Sequence, residues 1–416
     1  MKKIIINGGN KLTGTIPISG AKNSAVAIIP AAILCDEQIT LANVPNISDV
    51  DALEEMLLFL NAKIKRTKNG ELHISSEEIE NKRIDENLVK KLRASYYFMG
   101  ALLGKYKHVE MCFPGGCTIG ARPIDLHLKG FKKLGAKIKE DGDNFIIDAK
   151  ELKGTRIYLD FASVGATINL MYAAVKAEGE TIIENAAKEP EIVNVATYLN
   201  NMGAKITGAG TKTIKIKGVK HLHSCFHEVI PDRIETGTYE IIAAAMGEKV
   251  TIKNIIPEHV ESLNEKLQEM GIKMDIKEDK VIINGYENLN SCKIKTEIYP
   301  GFPTDLQQVL ASLMTIATGD SEIQETIWEN RFLNLYELIK MGAKIKINGD
   351  TATITGPAKL KGTEVNATDL RAGAGLVVAA LIAPGKTVIN NADYILRGYE
   401  NIVEKLKSIG ADIELV

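Results

Sequence analysis

A cysteine set among glycines, five residues ahead of an arginine, is the sharpest chemical signal in the chain: Pro114-Gly115-Gly116-Cys117-Thr118-Ile119-Gly120-Ala121-Arg122-Pro123. Three glycines in six residues make a tightly turned segment. A thiol at its tip, close to a helix start and to Arg122, sits where a thiolate is favoured. A lone cysteine is ordinarily a small buried hydrophobe. The flanking glycines argue against a core position here, so Cys117 reads as a reactive thiol. Cys35, Cys112 and Cys292 have no such setting and read as structural. The five cysteines form no CxxC pair, which fits free thiols in a reducing cytosol.

A second signal is charge gathered at turns. One set holds Lys22-Asn23, Arg93, Ser163-Val164-Gly165, Asp232-Arg233, Asp305 and Asp369-Leu370-Arg371. Another holds 46–49, 115–122, Glu189-Pro190-Glu191, Glu258-His259, Glu329-Asn330-Arg331 and Arg397. The flanking segments are plain Ala, Leu and Ile. Helix N-termini carry free N–H groups and partial positive charge, so they suit phosphate and carboxylate ligands. Any one of these residues alone reads equally as a cap or a surface ion pair. With Lys22, Arg93, Arg122, Arg371 and Arg397 added, the set points to a polyanion site. The formal net charge is -2, so no global basic field argues for nucleic acid or an anionic membrane, and an anionic substrate needs a local cluster. His221, His223, Cys225 and His227 alternate like metal ligands, but they fall at a break in the pattern and are expected to be an exposed linker, with no metal bound. Pro384-Gly385-Lys386-Thr387 resembles the tail of a phosphate loop, yet Ala380 stands where the first glycine belongs and a strand follows.

The elements that position these turns repeat. A small residue followed by an Ala-Lys-Ile-like phrase starts at Asn61, Gly135, Gly203, Gly271, Gly342 and Gly410, at intervals of 68 to 74 residues. A fixed period marks a repeat architecture. Each unit reads as an apolar helix, a β-branched strand (39–44, 108–113, 180–185, 249–255, 321–326, 386–391), a loop, an amphipathic helix closed by a glycine C-cap, and two short alternating strands. The chain is therefore expected to be six βαβαββ units of about 70 residues, and its 416 residues suit two or three domains. Segment 221–233 is the expected crossover between halves. No apolar run reaches the ~18–20 residues of a membrane span, and the first eight residues lack a leader's apolar stretch.

Ile18-Ser19-Gly20-Ala21-Lys22-Asn23, the Cys117 loop, 160–167, Ile182-Ile183-Glu184-Asn185-Ala186-Ala187, Pro231-Asp232-Arg233-Ile234-Glu235-Thr236-Gly237, Phe302-Pro303-Thr304-Asp305, Glu329-Asn330-Arg331-Phe332 and Ala367-Thr368-Asp369-Leu370-Arg371 resemble, over the whole chain, the UDP-N-acetylglucosamine 1-carboxyvinyltransferases of the enolpyruvyl transferase family. The resemblance implies an α/β (α+β) fold: a two-domain inside-out α/β barrel of six repeats, three per domain, closing over its substrates. One domain would be discontinuous, residues 1–21 plus 233–416; the other would be 22–232 and carry Cys117.

The same resemblance implies transfer of the enolpyruvyl group of phosphoenolpyruvate to UDP-N-acetylglucosamine, the first committed step of peptidoglycan synthesis, in the cytoplasm and without cofactor or metal. Cys117 would be the general acid, able to add to phosphoenolpyruvate and to react with fosfomycin. Lys22, Arg122 and Arg397 would clamp the anion, with Asn23 beside them. Asn23, Arg93, Asp305 and Ile327 would contact the sugar nucleotide, Asp305 also taking the proton of the attacking hydroxyl. Arg122, Pro123, Ile124, Asp125 and Leu126, with Ser163, Val164 and Gly165, would meet uridine and diphosphate. Asp232, Glu329, Arg331, Asp369 and Arg371 would be supporting charges. Ser48 and Phe161 depart from family members that carry Lys there, which touches diphosphate binding rather than the reaction. Two other readings remain: the sister enzyme acting on shikimate 3-phosphate, which typically carries Lys-Ser where this chain has Lys22-Asn23, and a catalytically silent sugar-nucleotide-binding repeat protein.

Overall fold

The computed structural model describes residues 2–68, 70–115 and 124–416. Among them the chain forms two compact units, one of residues 2–19 with 231–416, the other of 20–115 with 124–230. Each has its own apolar core. The junctions fall two residues earlier than 21/22 and 232/233. Asp232 accepts hydrogen bonds from the N–H groups of Ile234 and Glu235, so it belongs to the helix it caps.

In the discontinuous unit, helices Arg233–Met246, Thr304–Met314 and Leu370–Ile382 pack on one another and are buried almost throughout. Their outer partners Glu261–Glu269, Leu333–Lys340 and Ile402–Ser408 bury only one face. The other unit repeats the scheme, with inner helices Lys22–Ala31, Tyr97–Tyr106 and Val164–Ala174 and outer helices Ser48–Phe59, Asp125–Lys133 and Pro190–Asn201. An Ala- and Gly-rich helix can be buried on all sides because its neighbours approach its backbone. A Cβ on Gly375 would lie 2.5 Å from the Gln308 carbonyl oxygen, and one on Gly100 would lie 2.4 Å from that of Asn169.

Six sheets cover these helices. Five share one order: an edge strand, a central strand parallel to it, then two antiparallel strands. One face of each packs inward and the other meets solvent, as the i-B-e-B-e burial of Thr213–Lys217 illustrates. The sixth, built on His108–Cys112, has three strands. Its parallel edge strand is missing among the described residues, and the Asn81 side chain bonds the His108 carbonyl from that side. Strand Ile4–Gly8 lies between Gly385–Asn390 and Asp412–Leu415, so the start of the chain completes its last sheet. The chain passes between the units after Ser19 and after Ile230, soon after edge strands Leu12–Pro17 and Phe226–Glu228. Each edge strand stays behind and pairs with a distant central strand of its own unit, Gly247–Lys253 and Ile39–Ala42 respectively.

This pairing corrects part of the expectation of an exposed linker at 221–233: His221 and His223 are exposed outside any strand, but the stretch that follows enters a sheet. Phe226–Glu228 is a strand, and its inward residue, His227, is buried with a ring nitrogen 3.0 Å from Asn194 Nδ2. Burial lowers the pKa of His227 to about 4. Of the four residues that imitated a metal motif only His227 lies in a strand; His221, His223 and Cys225 precede it in irregular chain.

The repeat phrase has a backbone cause. Asn61 and Gly135, Gly203, Gly271, Gly342 and Gly410 all end an outer helix with φ between 71° and 105°, the left-handed region that favours Gly and tolerates Asn. A second left-handed position follows four of the central strands, at Asn43, Asn185, Asn254 and Asn391, with φ of 54° to 60°. Each donates from Nδ2 to the carbonyl just past the edge strand: Val229 at 2.8 Å, Leu159 at 2.9 Å, Ile18 at 2.7 Å and Ala367 at 3.4 Å. No helix among the described residues is long and apolar enough to cross a membrane.

Asn254→Ala removes a hydrogen bond and puts a poorly suited residue at positive φ, so it is expected to cost roughly 1–3 kcal/mol. Asn254→Gly keeps the φ and should cost less. Urea unfolding checks the order; equal stability of the alanine variant and wild type would contradict it.

Candidate active site

In the unit of residues 20–230, Cys117, Arg122 and Pro123 lie outside the described residues, and the frame that carries them is described. Arg93 opens a short 3-10 turn, Arg93–Tyr96, and its Nη1 donates to the carbonyl of Gly115 at 3.1 Å. Arg93, expected to contact the nucleotide, thus holds the base of the Cys117 segment at Gly115. Ile124 precedes helix Asp125–Lys133; the side chains of Ile124 and Leu126 are buried in the core, whereas Asp125 is exposed. Only the backbone of Ile124 and Leu126 is therefore suited to a ligand. Ser163 caps helix Val164–Ala174, its hydroxyl accepting from Ala166 N at 3.3 Å.

Asn169 ties these pieces together. Its Nδ2 donates to the Gly165 carbonyl and lies 3.0 Å from His127 Nδ1, while its Oδ1 accepts from Gly100 N at 2.7 Å. The Tyr96 ring meets His127 edge-on, and a Cβ on Gly165 would lie 2.9 Å from the Tyr96 hydroxyl. Arg93, Asp125 and the 163–165 turn are thus fixed relative to one another. Lys22, the first residue of its helix, pairs with buried Asp49, Nζ to Oδ2 at 2.9 Å. Asn23 follows it, half-buried. Asp49 sits next to Ser48, so the position that departs from the family pattern adjoins the partner of Lys22.

In the other unit the structure brings two expected arginines onto the carboxylate of a third expected residue, Asp305. Asp305 Oδ1 accepts from Arg331 Nη2 at 2.8 Å, and Asp305 Oδ2 from Arg371 Nε at 3.2 Å. The two guanidiniums are 2% and 3% exposed and the carboxylate 28%. The arginines are held in turn. Arg331 Nε donates to Gln308 Oε1 at 3.1 Å, and Gln308 Nε2 donates to Asp369 Oδ2 at 3.2 Å. Asp369 also caps helix Leu370–Ile382 through the N–H groups of Arg371 and Ala372. Arg371 lies over the Tyr399 ring, 5.2 Å from its centroid, and the Tyr399 hydroxyl meets Thr238 at 2.9 Å. Burial works against the charge of Arg371, but Tyr399, Asp305 and Asp232 outweigh it and raise its pKa. Ile327 is half-buried and Glu329 exposed, with no bond between Glu329 and this cluster among those described. Arg397 is half-buried and closes the short helix Asp393–Leu396.

Sequence reasoning missed Asp49, His127, Asn169, Gln308, Glu325 and Tyr399. Asp49 fell inside a turn it had marked. Glu325 falls near the end of an expected strand, close to a marked turn, and the others carry no conspicuous charge, so only tertiary contact reveals them.

A family profile described as EPSP synthase (3-phosphoshikimate 1-carboxyvinyltransferase) matches residues 6–406. A protein of Listeria monocytogenes serovar 1/2a, UDP-N-acetylglucosamine 1-carboxyvinyltransferase 2, is 54% identical over 99% of this chain and 97% of its own length. A Bacillus cereus protein of the same name is 51% identical over 99% of this chain and 96% of its own. Among solved structures, the enolpyruvyl transferase NikO from Streptomyces tendae superposes with a TM-score of 0.91 at 26% identity, covering 100% of this chain and 99% of that one. An EPSP synthase from Acinetobacter baumannii superposes at 0.78 with 18% identity, covering 100% of both chains, a likeness of fold.

His127 supplies a pH prediction. Burial, and then the charge of Arg93, lower its pKa to about 3 from an ordinary 6.5. Its Nδ1 faces the Asn169 amide, so a proton there would set donor against donor. Between about pH 6.5 and pH 3 the unfolded chain binds a proton that the folded chain refuses, so stability is lost as pH falls through that window. His127→Gln should flatten this part of the stability-versus-pH curve. An unchanged acid slope would contradict the assignment.

Proposed function

The chain belongs to the UDP-N-acetylglucosamine 1-carboxyvinyltransferases within the enolpyruvyl transferase family, and from that premise we propose how its residues move the enolpyruvyl group of phosphoenolpyruvate to the sugar 3-hydroxyl with release of phosphate. It is a transferase of peptidoglycan synthesis. Cytoplasmic location is part of the proposal, as are the residue roles.

The observation that carries the mechanism is the Asp305 carboxylate, gripped on both oxygens by buried arginines yet still partly exposed. Such a group is ionised and aimed. As the sugar oxygen attacks C2 of phosphoenolpyruvate, its proton becomes acidic and passes to Asp305. C3 takes a proton from the Cys117 thiol and becomes a methyl group, giving a tetrahedral phospho-ketal. In the second half the C2–O bond to phosphate breaks, C3 returns a proton to the thiolate, the C2=C3 double bond reforms on the sugar, and the proton held by Asp305 passes on, through solvent, to the released phosphate. Protons and electron pairs balance without an outside reductant or oxidant.

Lys22, Arg122 and Arg397 hold the phosphate and carboxylate of phosphoenolpyruvate, with Asn23 alongside. The buried Asp49 fixes the Lys22 ammonium in direction. Arg93, Asp125, Ile327 and the backbone of Ile124, Leu126 and 163–165 take the sugar nucleotide. The frame built by Asn169 and His127 supports this role, because it fixes three of these segments before a ligand arrives.

The test is phosphate release from phosphoenolpyruvate with UDP-N-acetylglucosamine, with shikimate 3-phosphate, and with neither. Release only with the sugar nucleotide is expected. Release with shikimate 3-phosphate would assign the sister activity, and no release in any arm would leave a binding protein.

A further inference from the structure

Two of the six repeats lack the left-handed asparagine that follows the central strand: Phe113 occupies the position ahead of the Cys117 segment, and Glu325 occupies it in the repeat that carries Asp305. The register is fixed by a backbone bond common to the repeats. The residue just past each edge strand donates its N–H to the residue before the asparagine: Ile18 to Lys253, Leu159 to Glu184, Val229 to Ala42 and Ala367 to Asn390. In the Asp305 repeat the same bond runs from Thr296 N to Gln324 O at 2.9 Å, so Glu325 stands in the asparagine position.

Glu325 does something an asparagine there does not. It is 4% exposed, and its carboxylate accepts four hydrogen bonds. Oε1 takes the Thr296 hydroxyl at 2.9 Å, Ile327 N at 2.8 Å and Trp328 N at 3.2 Å; Oε2 takes the Thr304 hydroxyl at 2.8 Å. The carbonyl that an asparagine would bind, that of Thr296, is bound instead by the Thr326 hydroxyl. Thr304 is the first residue of helix Thr304–Met314, immediately before Asp305. One buried carboxylate therefore joins the start of the Asp305 helix to the turn that presents Ile327. Charge-assisted bonds of this kind are shorter and stronger than neutral ones, and a fully bonded buried carboxylate holds its partners in one geometry.

We propose that Glu325 is a positioning residue for the transfer, which sets the Asp305 carboxylate and the Ile327–Trp328 turn in register for the sugar nucleotide. The inference rests on the function proposed above and adds to it a residue that acts through Thr304 and the 327–328 backbone, without touching substrate.

Glu325→Asn is the direct test, because it installs the residue that four other repeats fold with. Its shorter side chain cannot span Thr304 and the 327–328 amides together. Glu325→Gln keeps length and most of the contacts, the Thr304 hydroxyl turning to accept. Trp328 is the only tryptophan of the chain, so its emission reports the turn directly.

Both variants are expected to remain folded at the assay temperature, with Glu325→Asn melting lower because Thr304 and the 327–328 amides lose their acceptor. In Glu325→Asn, kcat/KM for UDP-N-acetylglucosamine should fall by roughly 10- to 100-fold with KM for phosphoenolpyruvate unchanged, and Trp328 emission should shift. Glu325→Gln should restore most of both. An asparagine variant with wild-type kcat/KM and wild-type emission would overturn the proposal. So would a glutamine variant as impaired as the asparagine one. If the wild type itself released no phosphate with this acceptor, the functional reading would fail, and Trp328 emission in the two variants would still decide the role of Glu325 in the turn.

Discussion

Two guanidiniums buried against one carboxylate are the constraint around which the discontinuous unit is arranged. Taking each such ion out of water costs several kcal/mol, and attraction to the partner charge offsets that only where geometry is good. Arg331 and Arg371 share Asp305, and Gln308 and Asp369 fix them from behind. That lattice draws on helices Thr304–Met314 and Leu370–Ile382 and on the turn before Leu333–Lys340, the very elements whose packing forms the core. A buried ion pair is weak evidence for stability, since apolar residues would pack as well. It is better understood as the fixed partner of a carboxylate that must stay charged and correctly aimed.

The repeat makes that cost readable. Where a position serves only the backbone, the copies agree: a left-handed Gly or Asn closes all six outer helices, and a left-handed Asn clamps four edge strands. Where the position serves chemistry, the copies part. Phe113 leads into the Cys117 segment, and Glu325 stands behind Asp305. The inner helices are interchangeable in character, yet their first turns carry Lys22 in one copy, Ser163 in another and Asp369-Leu370-Arg371 in a third. A stable common frame leaves each turn free to hold a different polar group.

Much of this was legible in the sequence, and the remainder has physical reasons for being hidden. The 68- to 74-residue period showed because Gly is needed at positive φ at each helix end. Lys22, Arg93, Asp305 and Arg371 showed because charge is conspicuous among apolar helices. That Arg331 and Arg371 meet on Asp305 did not show, because they lie 26 and 66 residues from it and only packing joins them. The edge strands were obscure for a similar reason. Phe226–Glu228 is three residues long, and its partner Ile39–Ala42 lies far away along the chain. The alternation of His221, His223, Cys225 and His227 imitated metal ligands, and the break in the repeat there suggested a linker, because a three-residue strand gives too little pattern to recognise. Glu325 was in reach of a comparison of copies, since it replaces an asparagine, but its acidity among other charged turns gave no cause to single it out.

The central claim is that Asp305, ionised between two buried arginines, takes the proton of the attacking hydroxyl. It is tested most directly by phosphate release from Asp305→Asn with both substrates saturating, together with calorimetric binding of UDP-N-acetylglucosamine. The account predicts that kcat falls by about 10²- to 10⁴-fold, the range of a lost general base, while the sugar nucleotide still binds. Turnover near the wild-type rate with the nucleotide bound would contradict it.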